Sequence, residues 1–512
     1  MVLGHRHRSS SLSGGRGDSK EDSADEDETV VSSEQGNVLQ HIISQLRPGA
    51  DLSRITLPTF ILEPRSMLER ITNFMAHPEI MLSIPDIDDP VARFVEVTKF
   101  YLSGWHIKPP GVKKPLNPIL GETFTGWWDY GSGKGGEDRG YYISEQTSHH
   151  PPKSSYFFMA PRHGIRIDGC LKPRSKFLGN SVGSFMEGIA VMRFLNRNGE
   201  RYFITQPNMY ARGILFGKMK YELGDTASVK SPELNLEATI EFKVKGWVSG
   251  SYNSIGGYIK DTKSGKNLYE LSGYWNGEMS IKDLATGKKQ VLFDASRAKP
   301  SYPKSRPIDE QAEKESQRLW QSTVQAIKKA DHSMATDEKS RIEDAQRRDA
   351  AERGQDNPWQ PKLFRKAPPG DEENLDWVID AEVDGKASPE KQVEQILAIA
   401  PILPGQKAGQ DYQQEKSLPS RQTKPPPSHP QSQQQQQQSQ QQKSGGGGAS
   451  DLIDFGQNDG APAPQQPQKQ QASGNQNPGL QQPLVPRQSQ VGDPLRRMDS
   501  LGNEETFMDA ES

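Results

Sequence analysis

The sequence has little of what would place a protein outside the cell or across a membrane. Cys170 is the single cysteine among 512 residues, which excludes an intramolecular disulfide framework and a multi-cysteine zinc site. A reducing, intracellular compartment is the simplest interpretation. No run of about 18 apolar residues occurs, and the N-terminus lacks the apolar core of a secretory signal. We therefore predict a cytoplasmic protein whose contact with membranes is peripheral.

Apolar residues are also scarce: 32% of the chain is hydrophobic, 25% is charged, and the mean hydropathy is −0.81. That average is too polar for one globule, so a folded part and a solvated part are predicted to coexist. Residues 1–35 are Ser/Gly-rich and then acidic, and residues 367–512 are rich in Pro, Gln and Gly. We predict that both flanks are disordered and that residues 36–366 form the folded domain.

Acidic residues are under-represented in the predicted domain. Residues 36–365 contain 47 Lys and Arg against 38 Asp and Glu, whereas the rest of the chain contains 16 against 28. A basic body with acidic flanks suits an anionic partner, either nucleic acid or the cytoplasmic face of a membrane. Basic residues scattered over a solvated surface explain the same counts equally well.

The hydrophobic pattern divides the predicted domain into three parts. Apolar residues recur at helical spacing over 37–46, and helix-like stretches follow at 67–75 and 90–101. From about residue 120 to 295, short aromatic and β-branched runs alternate with Gly, Asn and Asp turns, which predicts a large antiparallel sheet or barrel. The helical pattern returns over 309–353. Its apolar face comprises Leu319, Trp320, Val324 and Ile327.

Two glycine patterns match well-known active-site motifs, but neither has the required surroundings. Residues 131–136 fit GxGxxG, but a dinucleotide site needs a strand before it and a helix after it, and strand-like segments lie on both sides here. Residues 179–183 fit the GxSxG of serine hydrolases, in which a helix must follow the Ser. The segment after Ser181 is at least as typical of a strand. We predict a hairpin turn at the first place, a strand after the second, and no enzymatic activity.

Candidate polar site residues occur in three segments. His149 and His150 are adjacent, and neighbours on a strand point to opposite faces, so they make a poor metal pair. The two prolines that follow place the pair at a strand end or sheet edge, where a structural role and hydrogen bonding to a phosphate both stay open. Lys113 and Lys114 precede a Pro-x-Asn-Pro turn and are either phosphate ligands or ordinary surface lysines.

The third segment carries Lys339, Glu343 and Arg347 at i, i+4 and i+8, on one stripe of a helix. Glu before Arg at this spacing is a common helix-stabilising pair worth about 0.2–0.5 kcal/mol. On these residues alone that pair is the simpler interpretation. The functional alternative is a cationic clamp in which Glu343 orients both basic groups.

The segment EQTSHHPP, Glu145–Pro152, resembles the fingerprint of the oxysterol-binding-protein-related family. The resemblance extends over residues 37–364, which look like a complete lipid-binding domain of that family. It includes DLSRITLPTFILEPRSMLE, VKKPLNPILGETF, FLGNSVGS, TQPNMYARGILFGKMKYELGD and the KxxxExxxR stripe. The sequence is especially similar to the short fungal members that lack a pleckstrin domain and exchange phosphatidylserine for phosphatidylinositol 4-phosphate.

The resemblance implies an α+β fold that is mainly antiparallel: a large incomplete β-barrel with a lipid tunnel, an N-terminal lid over about 37–62, and C-terminal helices. It implies no catalytic group, metal or cofactor. Arg174 stands where close relatives carry lysine and remains cationic. The implied phosphoinositide-headgroup residues are Lys114, Asn117, His149, His150, Arg174, Lys339, Glu343 and Arg347. The implied phosphatidylserine residues are Leu57, Thr59, Asn117 and Ser175.

The implied activity is exchange of phosphatidylserine for phosphatidylinositol 4-phosphate between membranes at contact sites. A carrier must enclose the acyl chains, because each methylene exposed to water costs about 0.8 kcal/mol. A sterol/phosphatidylinositol 4-phosphate exchanger and a phosphoinositide-regulated lipid sensor on the same fold are the alternatives. The implied partners are these lipids and anionic membranes, not nucleic acid, and the implied location is the contact between endoplasmic reticulum and plasma membrane.

The predicted tail contains three short motifs. Residues 506–512 resemble the acidic-tract motif that binds ER-resident VAP proteins, with Thr506 where the motif begins with an acid. Residues 451–455 form an acidic-hydrophobic island of the kind that disordered tails use for partners. Ser500 follows a basic pair and fits a basophilic-kinase site.

Overall fold

The structure is a computed structural model that describes the core of the chain and part of its flanks. Several predictions lie outside the described residues: Leu57, Ser500, the 451–455 island, the 506–512 motif and most of the 37–46 helix. The described ranges are 28–30, 41–42, 46–52, 58–133, 136–214, 218–246, 250–354, 357–368 and 373–407.

Short elements and one long helix precede the main sheet. The long helix begins at a clear signal, because Asp89 accepts the Ala92 backbone N–H at 2.7 Å and Pro90 occupies the first turn. The stretch predicted to be helical at 67–75 is one α-helical turn followed by the 3₁₀ turn Ile71–Met75. In chain order these elements are β1 (Glu28–Val30), β2 (Leu62–Ser66), α1 (Met67–Arg70), α2 (Pro78–Met81), α3 (Pro90–Ser103) and β3 (Lys114–Leu116).

The strand-rich region forms one antiparallel sheet over residues 123–294, in agreement with the predicted 120–295. Its strands are β4 (Thr123–Gly133), β5 (Gly136–His149), β6 (Pro152–Ala160), β7 (Ile165–Phe177), β8 (Ser181–Phe194), β9 (Glu200–Ile204), β10 (Asn208–Arg212), β11 (Lys218–Ser231), β12 (Leu236–Lys243), β13 (Ser254–Asp261), β14 (Asn267–Tyr274), β15 (Glu278–Asp283) and β16 (Lys289–Asp294). The path of the sheet runs β16-β15-β14-β13-β12-β11-β10-β8-β7-β6-β5-β4, and β1 and β9 pair alongside β11. Among the described residues the ladder does not join β4 to β16, so the sheet is incompletely closed.

The first glycine pattern lies at a hairpin, as predicted, and a strand follows the second, also as predicted. The GxGxxG segment spans the end of β4 and the start of β5, with Gly133 opposite Gly136 in the ladder. The GxSxG segment spans the turn between β7 and β8, and Ser181 is the first residue of strand β8. A strand follows Ser181 where a hydrolase would need a helix, so this serine is not at a nucleophile elbow.

The strands β4, β5 and β6 are buried on both faces. Trp128, Tyr142 and Phe158 point into the large core cluster beneath the sheet. Their neighbours Trp127, Tyr141 and Phe157 belong to a second cluster on the opposite face. Since successive side chains on a strand alternate between faces, each aromatic pair contributes one ring to each core.

The second cluster is covered by the C-terminal segment, so the predicted boundary at residue 366 is too early. Buried residues beyond it include Ile379, Ile396 and Ile402, which pack on the outer face of β4–β6. We call residues 363–368 and 373–403 the outer layer. The apolar outer face of these strands must be covered, which gives the physical reason for the later boundary. The C-terminal elements are α4 (Ser316–Leu319), α5 (Gln321–Lys328), α6 (His332–Arg353), β17 (Phe364–Lys366), β18 (Trp377–Ile379) and α7 (Pro389–Ile399).

Polar contacts fasten the outer layer to the sheet. The buried Glu145 carboxylate accepts the backbone N–H groups of Lys362 and Leu363 at 2.8 and 2.7 Å. Thr125 Oγ1 donates to the Pro401 carbonyl at 2.8 Å. Asp376 is bridged by Lys153 and Lys172, with N–O distances of 2.6 and 2.8 Å. Asp376 is partly buried, which disfavours its charged form, but the two ammonium groups outweigh that effect and lower its pKa.

In the part of the chain that the structure describes, no helix has the length and apolar character needed to cross a bilayer.

Candidate functional site

The two histidines lie where β5 turns into β6. His149 is the last residue of β5 and His150 lies in the turn, so their rings are adjacent, with centroids 4.6 Å apart. The expectation from strand alternation that they face opposite sides is therefore wrong, because alternation ends with the strand. His149 Nδ1 lies 3.2 Å from the Pro118 carbonyl oxygen. This contact joins the fingerprint turn to the loop after β3.

His149 is neutral at physiological pH. Burial lowers its pKa to about 4, and the nearby His150 and Arg347 act in the same direction against the Pro118 hydrogen bond. Because Nδ1 faces a carbonyl oxygen, Nδ1 carries the proton of the neutral ring and Nε2 carries the lone pair. An anion at Nε2 would therefore be bound best by the protonated ring.

Lys114 and Lys339 form a cationic pair at the same site. Lys114 is half-buried in β3, and burial, followed by repulsion from Lys339, lowers its pKa against the opposing effects of Asp51 and Glu343. Lys339 is buried on α6, and its Nζ lies 2.7 Å from Glu343 Oε1. Burial and mutual repulsion both disfavour the charged forms of these two ammonium groups. A bound phosphate would stabilise those charged forms, so the pair attracts an anion.

Arg347 does not share Glu343 as its partner. Its guanidinium pairs with Asp344, so neither the predicted Glu343–Arg347 helix pair nor a clamp with both cations on Glu343 is present. Glu343 orients Lys339 alone. Arg347 is still at the site, because its charge contributes to lowering the pKa of His149.

Glu122 fixes the loop that connects β3 with β4, and it was not among the residues predicted from the sequence. Its carboxylate is fully buried and accepts from Ser316 Oγ at 2.7 Å, Trp320 Nε1 at 2.9 Å and the Ile119 N–H at 3.0 Å, and also from Ser66. Burial raises its pKa in spite of these donors. The sequence signal for this residue was a single acid directly after the apolar Pro-Ile-Leu-Gly run. An acid in such surroundings indicates a buried carboxylate, which needs several hydrogen-bond donors.

Gly121 allows the same loop to pack closely against Trp359. Its φ is +77°, and an added Cβ would lie 2.4 Å from Cζ2 of Trp359. A side chain there would therefore be strained and would also collide with the indole. Leu120 N donates to Gln346 Oε1 on α6 at 2.7 Å, which holds the loop beside the helix that carries Lys339.

The other polar residues of the fingerprint mostly build its own hairpin. Gln146 Oε1 accepts from Ser154 Oγ at 2.6 Å, and the hydroxyls of Thr147 and Ser155 lie 2.9 Å apart. Ser148 Oγ donates to the Pro151 carbonyl at 2.7 Å. The histidines are therefore the fingerprint side chains presented to the site.

The remaining predicted residues divide into two groups. Asn117 is part-exposed between Lys114 and the loop, whereas Thr59 is buried with Oγ1 3.3 Å from the His332 carbonyl oxygen. Ser175 is buried on β7, and its carbonyl accepts the Leu52 N–H at 3.0 Å from the lid segment. Arg174 points to the opposite, exposed face and pairs with Glu187. The structure gives Arg174 a counterion away from the cationic pair.

Comparison of the sequence with known proteins identifies the family of this chain. The family model described as oxysterol-binding protein matches residues 41–325 and 322–388. The chain is 49% identical over 394 residues to an oxysterol-binding protein-like protein, OBPalpha, of Candida albicans, covering 76% of this chain and 91% of that protein. It is 51% identical over 379 residues to oxysterol-binding protein homolog 7 of Saccharomyces cerevisiae, covering 72% and 85%. The chain belongs to the oxysterol-binding protein family.

Solved structures agree with the fold. The Osh1 ORD domain in complex with cholesterol has a TM-score of 0.57 at 21% identity, covering 72% of this chain and 91% of that one. The Osh3 ORD from Saccharomyces cerevisiae in complex with PI(4)P has a TM-score of 0.51 at 21% identity, covering 72% and 93%. The mainly antiparallel, incompletely closed α+β fold is confirmed. A role in lipid binding and transfer follows from the family.

Proposed function

We propose that this protein exchanges phosphatidylserine for phosphatidylinositol 4-phosphate between membranes at contact sites, without breaking a covalent bond. The observation that supports it most directly is the pairing of Lys114 with Lys339 beside His149, His150 and Arg347. Such a cluster suits a ligand with more than one phosphate charge. In the proposed complex the inositol-phosphate headgroup contacts these five residues together with Asn117, and Glu343 holds Lys339 in place.

Arg174 remains part of the proposal only as a secondary contact. Its pairing with Glu187 on the exposed face means that it would have to leave a counterion to reach the headgroup. The phosphatidylserine headgroup is proposed to lie near Leu57, Thr59, Asn117 and Ser175. Thr59 contacts the first turn of α6, and Ser175 is on the buried face of β7 next to the lid.

The headgroup assignment is tested by replacing both His149 and His150 with alanine. We expect loss of phosphatidylinositol 4-phosphate extraction from vesicles, with phosphatidylserine extraction retained, because the phosphate loses two of its donors. Circular dichroism and thermal unfolding check that the fold is intact. Lys263→Ala on the β13–β14 hairpin is the matched surface control. Extraction at the wild-type rate by the double variant would refute the assignment.

The identity of the second lipid is tested by mass spectrometry of lipids that co-purify with the protein. We expect phosphatidylserine and phosphatidylinositol 4-phosphate. Sterol without phosphatidylserine would favour the sterol exchanger on the same fold. Transfer between donor and acceptor vesicles then separates a carrier from a lipid sensor, since a sensor binds lipid and does not move it.

Phosphoinositide binding is also expected to take up a proton. A phosphate at Nε2 would raise the pKa of His149 from about 4, so binding strengthens as the pH falls from 7 towards 5.5. Calorimetric titration with a short-chain phosphoinositide in buffers of different ionisation enthalpy measures the uptake. Proton uptake that is unchanged in His149→Asn would contradict this role for the imidazole.

A further inference from the structure

The predicted lid reaches the 3₁₀ turn Thr59–Ile61, which is held from two sides. We call this turn the lid end, and strand β2 follows it directly. Thr59 is buried and Phe60 is half-buried, so both are packed against other parts of the fold. Their polar contacts come from Lys113, which immediately precedes β3, and from His332, the first residue of helix α6.

Lys113 donates from its ammonium group to the backbone carbonyl of Phe60. The ammonium is half-buried, and burial lowers its pKa. Within the described part of the chain no carboxylate pairs with it, so the Phe60 carbonyl is its polar partner. The sequence left Lys113 open as a phosphate ligand or an ordinary surface lysine, and its position fits neither. It binds the lid end, whereas the adjacent Lys114 is at the headgroup site.

His332 contacts the lid end through both its backbone and its ring. The Thr59 hydroxyl oxygen lies 3.3 Å from the His332 carbonyl oxygen and 3.4 Å from Nδ1. Thr59 has one hydroxyl proton, so both contacts are hydrogen bonds when that proton goes to the carbonyl and Nδ1–H donates to the hydroxyl oxygen. The Phe60 ring meets the imidazole in a T-shaped arrangement, with centroids 6.1 Å apart. Both hydrogen bonds are long, which suits a contact that has to open.

The start of α6 is a fixed corner, so His332 is in place for these contacts. Asp331 caps the helix and accepts the Met334 N–H at 3.0 Å. Thr336 Oγ1 donates to the His332 carbonyl at 2.7 Å. Ala330, just before the cap, has a φ of +55°, a left-handed conformation that turns the chain sharply from α5 into α6. The lid end therefore docks on a surface whose geometry does not depend on the lid.

The elements that hold the lid end also carry the cationic pair of the headgroup site. Lys114 follows Lys113, and it pairs with Leu62 in the β2–β3 ladder, one residue after the lid end. On α6, Lys339 lies seven residues after His332, which places both on one side of the helix. A headgroup that bridges Lys114 and Lys339 would therefore fix β3 and the start of α6 relative to each other. Both lid contacts would be fixed with them.

We propose that Lys113 and His332 are positioning residues that hold the lid end closed while a lipid is bound, and this inference rests on the proposed lipid exchange. Neither residue has to touch the lipid, because they act through the Phe60 carbonyl and the Thr59 hydroxyl. A carrier must stay closed in water, where exposed acyl chains are unfavourable, and must open at a membrane. A few weak contacts meet both needs, since a bound headgroup strengthens them and its departure loosens them.

The test uses the full chain, loaded from phosphatidylcholine vesicles that contain phosphatidylinositol 4-phosphate. This lipid is chosen because Thr59 is also a proposed phosphatidylserine contact. The measured quantity is the rate at which the loaded protein loses the lipid to empty vesicles. The variant Lys113→Met/His332→Leu is expected to lose it about tenfold faster than wild type, which corresponds to about 1.4 kcal/mol, the size of one or two hydrogen bonds. The matched control Lys263→Met, on the β13–β14 hairpin, should release the lipid at the wild-type rate.

Two further measurements separate closure of the lid end from a general loss of structure. Loading should slow amide hydrogen exchange in residues 59–62 of the wild type about tenfold, and this slowing should be absent in Lys113→Met/His332→Leu. The single variant His332→Asn, whose side-chain amide can replace the Nδ1–H donor, should retain the lipid better than His332→Leu. Affinity for soluble inositol bisphosphate should be unchanged in all of these variants, because Lys114 and Lys339 are still present.

The outcomes distinguish this inference from the proposed function. Release from Lys113→Met/His332→Leu at the wild-type rate, with the lid end still protected on loading, would overturn the inference and leave the exchange proposal standing. Faster release that His332→Asn does not reduce, together with a lower unfolding temperature, would assign both residues to stability and also overturn it. A wild-type protein that retains phosphoinositide behind a protected lid end and moves no phosphatidylserine would overturn the exchange proposal alone.

Discussion

Two regions of the same sheet differ in how many faces of their strands are buried. In β12 the burial alternates, with Leu236, Ala238, Ile240 and Phe242 inside and charged or polar residues outside. In β6 every residue from Ser154 to Ala160 is buried. Strand β12 therefore packs against the inner core on one face only, whereas β6 packs between that core and the outer layer.

The difference shows that the sheet alone does not define the domain. A strand with one apolar face is complete once the inner core has formed. Strands β4–β6 carry a second apolar face that is stable only when the outer layer covers it. The fingerprint lies at the end of these doubly covered strands, and its Glu145 holds the outer layer directly. The fingerprint turn and the far C-terminal part of the fold are therefore physically connected.

The largest expected effect is at Phe157, a fully buried outer-face residue of β6. Phe157→Ala should lower the free energy of unfolding by about 3–5 kcal/mol, because a large buried ring is lost and a cavity remains. The control is Glu241→Ala on the outer face of β12, which should change it by less than about 0.5 kcal/mol. Urea denaturation measures both. Equal costs would show that the two regions do not differ in this way.

Acid should weaken the singly covered region before the outer layer. Burial and His77 lower the pKa of His106 to about 4, and His106 contacts Phe293 of β16. The unfolded state then binds a proton that the folded state does not, so stability falls as the pH drops from about 6.5 towards 4. The full shift corresponds to about 3 kcal/mol, and solvent screening of the partly exposed ring reduces this to on the order of 2 kcal/mol. Hydrogen exchange by mass spectrometry should show β16 losing protection in this window, and His106→Asn should reduce the loss.

Asp376 gives the smallest expected effect, in a lower pH window than that of His106. Its pKa is lowered, so its contribution is present above the unfolded value of 3.8 and is lost as the pH falls below it. Asp376→Asn should cost about 1 kcal/mol at pH 7, because the pair of lysines is only partly buried. The cost should vanish near pH 2. A cost that persists there would indicate a packing role for Asp376 in place of an electrostatic one.

The sequence predicted much of this fold because alternation and turn residues are local signals. Both ends of the sheet, the long helix after Asp89, the hairpin at the first glycine motif and the strand after the second needed no tertiary information. The outer layer was missed because residues 367–388 are poor in apolar residues and resemble a linker. The doubled aromatics at 127–128, 141–142 and 157–158 did contain the signal, since neighbours on a strand cannot share one face.

The types of residue at the candidate site could be predicted from the sequence, but the ion pairs that they form could not. Helical spacing placed Lys339 and Glu343 together correctly. It also allowed Glu343 to pair with Arg347, but Asp344 is the partner that the structure provides, and spacing alone cannot rank two acids within reach of one arginine. Arg174 illustrates the same limit on a strand: the family resemblance implied a headgroup contact, while alternation turns its side chain to the exposed face.

The doubly covered strands also bear on how the chain is made. The ribosome completes β6 about 200 residues before it reaches the outer layer that packs on it. At 5–20 residues per second, roughly 10–40 s separate the two events, and the aromatic outer face of β4–β6 lacks its cover for that time. Folding during synthesis therefore leaves one apolar surface for a chaperone to protect, and a stalled or truncated chain would keep that surface exposed to aggregation.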